Sequence, residues 1–168
     1  CATAAHGQET LAAAIQAGDR AGALELLRGG ADVNATQGDG TTALHWAVYR
    51  LDEALTAELL KRGAKADVMN SYGSTPLAEA AKAAHPQLAA MLLDAGANVE
   101  APNADGQTVL MLAARSGAAE IAELLVRRGA NVNARETWRG QTALMWAADG
   151  AYAEIVEHSR ALLADGQE

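Results

Sequence analysis

Basic residues, aromatic rings and cysteines are all scarce in this chain, and each shortage excludes something. Thirteen Lys and Arg face 21 Asp and Glu, for a formal net charge of −8 and a pI near 4.9. That balance argues against a protein that tracks a nucleic-acid backbone or lies on an anionic membrane. The single cysteine, Cys1, rules out an intrachain disulfide framework and a cysteine-rich zinc site. There is no Phe, with three Trp and three Tyr, so a core built around aromatic rings is not expected. No apolar run approaches the roughly 18 residues needed to cross a bilayer. The chain opens at Cys1 without Met, which leaves open both a fragment boundary and a processed, even lipidated, terminus. No compartment follows.

What is present is alanine, glycine and a fixed period. Leu11, Leu44, Leu77 and Leu110 recur at steps of 33 residues, as do Gly30, Gly63, Gly96 and Gly129. Leu144 follows Leu110 by 34, so one extra residue sits in the loop from Arg135 to Arg139. The stretch from Asp105 to Asn133 shows the unit most clearly: a glycine turn, a short apolar helix opened by Thr108, a second glycine, a second apolar helix, and a closing Gly129. A threonine hydroxyl can accept a free N–H of the first turn, and glycine tolerates the left-handed conformation that ends a helix. Neither helix is long enough to stand alone in water, so each unit needs its neighbours.

Gly40-Thr41-Thr42-Ala43-Leu44-His45-Trp46-Ala47, Gly73-Ser74-Thr75-Pro76-Leu77-Ala78-Glu79-Ala80-Ala81 and Gly140-Gln141-Thr142-Ala143-Leu144-Met145-Trp146-Ala147-Ala148 open three further units. Leu59-Leu60-Lys61-Arg62-Gly63-Ala64 and Leu92-Leu93-Asp94-Ala95-Gly96-Ala97-Asn98 close two of them. These motifs resemble the ankyrin repeat over about residues 9–166, in a style similar to bacterial ankyrin proteins. The resemblance implies an all-α ankyrin-repeat solenoid: stacked antiparallel helix pairs with β-turn fingers projecting from one edge. Residues 1–8 are expected to form a flexible tail. Five repeats then follow, at about 9–36, 37–69, 70–102, 103–135 and 136–166. In the last unit Ile155, Val156, Ser159 and Arg160 replace the apolar set Ile121, Ala122, Leu125 and Val126, and with Leu162 and Leu163 they predict a capping helix.

Chemistry-bearing residues do not converge. His6, His45, His85 and His158 fall in four different places, without metal-ligand spacing. By resemblance, His45 hydrogen-bonds turn backbone; His85, in a helix–helix turn, is expected to be exposed. There is no nucleophile elbow and no phosphate-binding glycine loop. Glu120, Glu123, Glu154 and Glu157 read as a solvated outer face. Asp32, Asn34, Asp67, Asn98, Asn131 and Asn133 read as ties for finger-base backbone. No cofactor or metal is expected.

The rings are the exception. In the register of the resemblance, Tyr49 faces the concave groove, Tyr72 and Trp138 lie on fingers, and Trp46 and Trp146 share a position on the inner helices; Tyr152 is elsewhere. Trp46 and Trp146 are expected to pack between inner helices. The expected partner-binding set is Tyr49, Arg50, Tyr72, Lys82, Arg115, Trp138, Arg139 and Asp149. A mixed-charge surface with aromatic islands suits another protein, bound by a monomer without catalysis. A small-molecule or catalytic site in the groove, and a structural segment of a larger protein, are the alternatives.

Overall fold

The computed structural model describes residues 10–149; Cys1, His6 and every expectation placed beyond residue 149, the capping helix included, lie outside the described residues. Nine helices run through the described residues: α1 (Leu11–Ala17), α2 (Arg20–Arg28), α3 (Ala43–Tyr49), α4 (Glu53–Lys61), α5 (Pro76–Lys82), α6 (Pro86–Asp94), α7 (Val109–Ser116), α8 (Ala119–Arg127) and α9 (Ala143–Asp149). They form four antiparallel pairs and the first helix of a fifth. The odd-numbered helices stack side by side as an inner row, and the outer row of α4, α6 and α8 is in looser contact. The one β-bridge among the described residues joins Thr36 and Thr42.

Threonine hydroxyls open the inner helices. Thr10, Thr42, Thr75 and Thr108 accept the N–H of Ala13, His45, Ala78 and Met111. The second helices open on a position of the same period whose chemistry fades along the chain. Asp19, Asp52 and His85 accept the N–H of Gly22, Leu55 and Leu88, whereas Ala118 offers no side-chain acceptor. Asp52 also takes the Arg20 guanidinium at 2.7 Å. Partial burial pushes the Asp52 carboxyl up, but Arg20 together with the Leu55 and Ala54 N–H groups outweighs that and holds it below the ordinary range. His85 is a correction to the expectation of an exposed side chain. It caps α6 through Nδ1, its Nε2 lies 3.5 Å from Glu53, and it is only 22% exposed.

Alanine governs the inner row. Ala14, Ala47, Ala80, Ala113 and Ala147, one per unit, are all at or below 1% exposure, so backbones approach with only a methyl between them. Leu11, Leu44, Leu77 and Leu110 fill the space between the rows, joined by Leu55, Leu59, Leu88, Leu92, Ile121 and Leu125. Leu144, in phase with the first four, is instead 38% exposed. Here α9 packs on α7, and no described helix lies on its other side.

Units are also tied by polar links of fixed span. Asn34 accepts the N–H of Lys65 at 2.8 Å, Asp67 that of Asn98, and Glu100 that of Asn131. Each reaches 31 residues ahead, into the following unit. Asp32, Asn98 and Asn131 tie turns within their own units by accepting the N–H two residues on.

Candidate functional site

Four fingers project from the inner row, at residues 37–41, 70–74, 103–107 and 136–141. In each, the first residue donates its N–H to the carbonyl of the last: Gln37 to Thr41, Asn70 to Ser74, Asn103 to Gln107, and Glu136 to Gln141. Asn70 and Asn103 rigidify their turns from inside. The Asn70 amide oxygen accepts from the Tyr72 and Ser74 N–H, and that of Asn103 from Asp105 and Gln107. The fourth finger carries the extra residue, and a longer side chain spans it. The buried Glu136 carboxylate accepts the N–H of Trp138, Arg139 and Gln141 at 2.6, 2.8 and 2.9 Å. Those donors, Gln141 first, hold its carboxyl below the ordinary range against the opposing effect of desolvation. The fingers stack closely. At Gly73, where φ is +70°, a Cβ would come within 3.0 Å of the Asn103 side chain.

The first finger is built differently, and the difference makes a hollow. Asp39, rather than residue 37, ties this turn, by accepting the Thr41 N–H at 2.9 Å. That frees Gln37 to take the indole N–H of Trp46 at 2.9 Å and to donate to Gln16 at 2.8 Å. Behind them His45 is buried. Its Nδ1 accepts the Thr42 N–H at 3.2 Å and its Nε2 lies 3.0 Å from the Ser74 carbonyl, which requires the neutral Nε2–H tautomer. Desolvation holds its pKa below the usual imidazole value despite the opposing pull of Ser74. His45 thus has the backbone-bonding role that the resemblance implied, and it reaches across to the next unit's finger.

Above His45 opens a hollow of about 380 Å³ between the first two fingers, with Trp46, Tyr49, Tyr72, Asp39 and Glu79 in its lining. Tyr49 meets Trp46 edge to face at 5.7 Å between ring centres. A second hollow of about 270 Å³ lies beyond Tyr72 and contains Lys82, Arg115, Asn103 and Gln107. Tyr72 lines both.

The expected contact residues divide accordingly. Tyr49, Tyr72 and Trp138 are 65, 77 and 79% exposed. The Arg139 guanidinium lies over the Trp138 ring at 4.4 Å, and that of Arg115 lies 5.8 Å from the Trp146 ring centre. Lys82 contacts Ser74 at 2.9 Å and Glu79 at 3.1 Å. Arg50 turns its guanidinium onto the Ile15 and Gln16 carbonyls at the end of α1. Asp149 is the last residue of α9, and its side chain is outside the described part. Trp46 and Trp146 are partly buried against the core. Gln16 and Glu79, absent from the expected set, enter the first hollow; a contact between successive units has no signal in the sequence local to either residue.

No cluster of His, Cys, Asp and Glu among the described residues could hold a metal ion, and no described helix is long and apolar enough to cross a membrane. Comparison with curated proteins returns no match. A family model for ankyrin repeats (three copies) matches residues 11–103 and again residues 96–167. With paired helices, Thr-capped inner row and stacked fingers at the same period, the chain belongs to the ankyrin-repeat family.

Proposed function

We propose that this chain is a non-catalytic protein-interaction module that holds its partner along the fingers and inner helices, as a single domain over residues 9–166. Ankyrin repeats are generally protein-interaction modules, which sets the class. One observation supports the face: no Trp or Tyr is fully buried among the described residues, while Tyr49, Tyr72 and Trp138 stand on it at 65–79% exposure. Large rings kept out of a core and grouped on one side are the usual anchors of association. The fingers are tied by their own side chains, so little ordering is required on binding. Arg50 contributes to this face by fixing α3 against α1, and Lys82, Arg115 and Arg139 supply its positive charges.

The test is capture from cells with the wild-type chain and a Tyr72→Ala/Trp138→Ala double variant of unchanged melting temperature. A photo-crosslinking residue is placed at position 72 or, on the outer row, at Glu120. Capture that depends on the rings and crosslinks only from position 72 supports the face. Equal capture by both chains, or crosslinks from position 120 alone, would refute it.

A further inference from the structure

We infer that the hollow between the first two fingers receives a single cationic side chain, arginine or lysine, presented by a basic partner protein. This deepens the concave-face reading and rests on it. Asp39 and Glu79 line the hollow, and no Lys or Arg does. Glu79 shares its charge with Lys82 at 3.1 Å, whereas Asp39 forms no ion pair among the described residues. Hydrogen bonds from Thr41 hold the Asp39 carboxyl below the ordinary range, so it is ionised at neutral pH.

Donor and acceptor direction agrees. Three donors around the rim are turned onto internal acceptors: the Trp46 indole onto Gln37, the Gln37 amide onto Gln16, and the Asn70 amide onto Thr41. With those donors engaged, the Asp39 and Glu79 carboxylates and the Trp46, Tyr49 and Tyr72 rings remain in the lining for an incoming group. That is a poor site for an anion and a good one for a donor-rich cation with an apolar stem. Tyr49 and Tyr72, both more than half exposed and both in the lining, can contact the stem, and about 380 Å³ suits one long side chain. The adjacent hollow makes the contrast: Lys82 and Arg115 line it and no carboxylate does. A partner is thus offered opposite signs on the two sides of Tyr72. The chain's net charge of −8 favours a basic partner at longer range.

The experiment is an NMR titration of the ¹⁵N-labelled chain with Nα-acetyl-arginine amide and Nα-acetyl-lysine amide, with the neutral citrulline analogue as control. The Trp46 indole N–H and the Thr41 and Asn70 amides should shift saturably with the cations. Citrulline should bind about two- to fivefold more weakly, the scale of one exposed cation–π contact. Asp39→Asn and Tyr49→Ala/Tyr72→Ala should weaken cation binding by a similar factor. Glu79→Gln serves as a second variant if Asp39→Asn loosens the finger. Equal shifts with citrulline, or cation shifts indifferent to all three variants, would overturn the inference. If a partner is captured through Tyr72 and Trp138 but Asp39→Asn and Glu79→Gln capture it equally, the concave-face reading stands and the cation receptor falls. If cations bind as expected while capture ignores the rings, the concave-face reading falls instead.

Discussion

Thr56 and His45 show how much one polar group can decide. Thr56 stands on α4 where the first, third and fourth units place Ala23, Ala89 and Ala122; it is fully buried and its hydroxyl has no partner. A buried hydroxyl without a hydrogen bond costs on the order of 1–3 kcal/mol. Thr56→Val keeps the shape and removes the group, so the urea midpoint should rise by the equivalent of about 1 kcal/mol; a fall would mean the hydroxyl is satisfied. His45 is the opposite case, buried and bonded at both nitrogens in its neutral form. Its folded pKa is depressed, so over the interval from that value up to the ordinary one the unfolded chain binds a proton that the folded chain does not. Stability from this residue is complete above the ordinary imidazole value and is lost as pH falls below it, with a slope of at most about 1.4 kcal/mol per pH unit. Urea melts between pH 7.5 and 5 should show that slope in wild type and lack it in His45→Gln. The role of His45 was legible from its place in the repeat. Arg50 was not, because its carbonyl partners lie 35 and 34 residues back and become neighbours only once α3 stacks on α1.

Within each helix pair, the turn makes the same conformational demand. Gly18, Leu51, Ala84 and Gly117 are in phase, and all four have positive φ, of 83, 57, 51 and 71°. For Leu51 and Ala84 the left-handed conformation costs roughly 1–2 kcal/mol, through the approach of Cβ to the backbone. Both side chains are exposed, so little packing compensates. Leu51→Gly and Ala84→Gly should each stabilise the chain by about 0.5–1 kcal/mol, after allowing for the greater freedom of glycine when unfolded. Denaturant midpoints would check it, and Ala84→Gly is the cleaner case because only a methyl is lost. The helix starts were plain in the sequence, since Thr42, Thr75 and Thr108 carry their own caps. The strained turns were hidden, because a leucine in a left-handed position looks like any other leucine. For the site, Tyr49 and Tyr72 could be placed on one face from register alone. Nothing in the spacing of Gln37 and Asp39 announced that they would exchange duties and open a hollow.

Among the described residues, each inner helix packs mainly on the inner helix of the adjacent unit. Leu125 is fully buried on α8, and Leu125→Ala should cost about 2–5 kcal/mol in a urea melt. Paired with Leu92→Ala in the adjacent unit, the losses should deviate from additivity by at least about 0.5 kcal/mol; paired with Leu27→Ala, three units away, they should add within that margin. Additivity in both pairs would show that the stack does not transmit packing between units. The 33-residue period was legible because it is a property of spacing, and the close approach of the inner helices was not, because it depends on how the alanine column packs once units stack. The 31-residue reach of Asn34, Asp67 and Glu100 has a mechanical corollary. Among the described residues such fastenings each join one storey to the next, so a chain drawn out by its ends in an optical trap should give way floor by floor. Each rip would release about 33 residues, roughly 110 Å of slack at full extension.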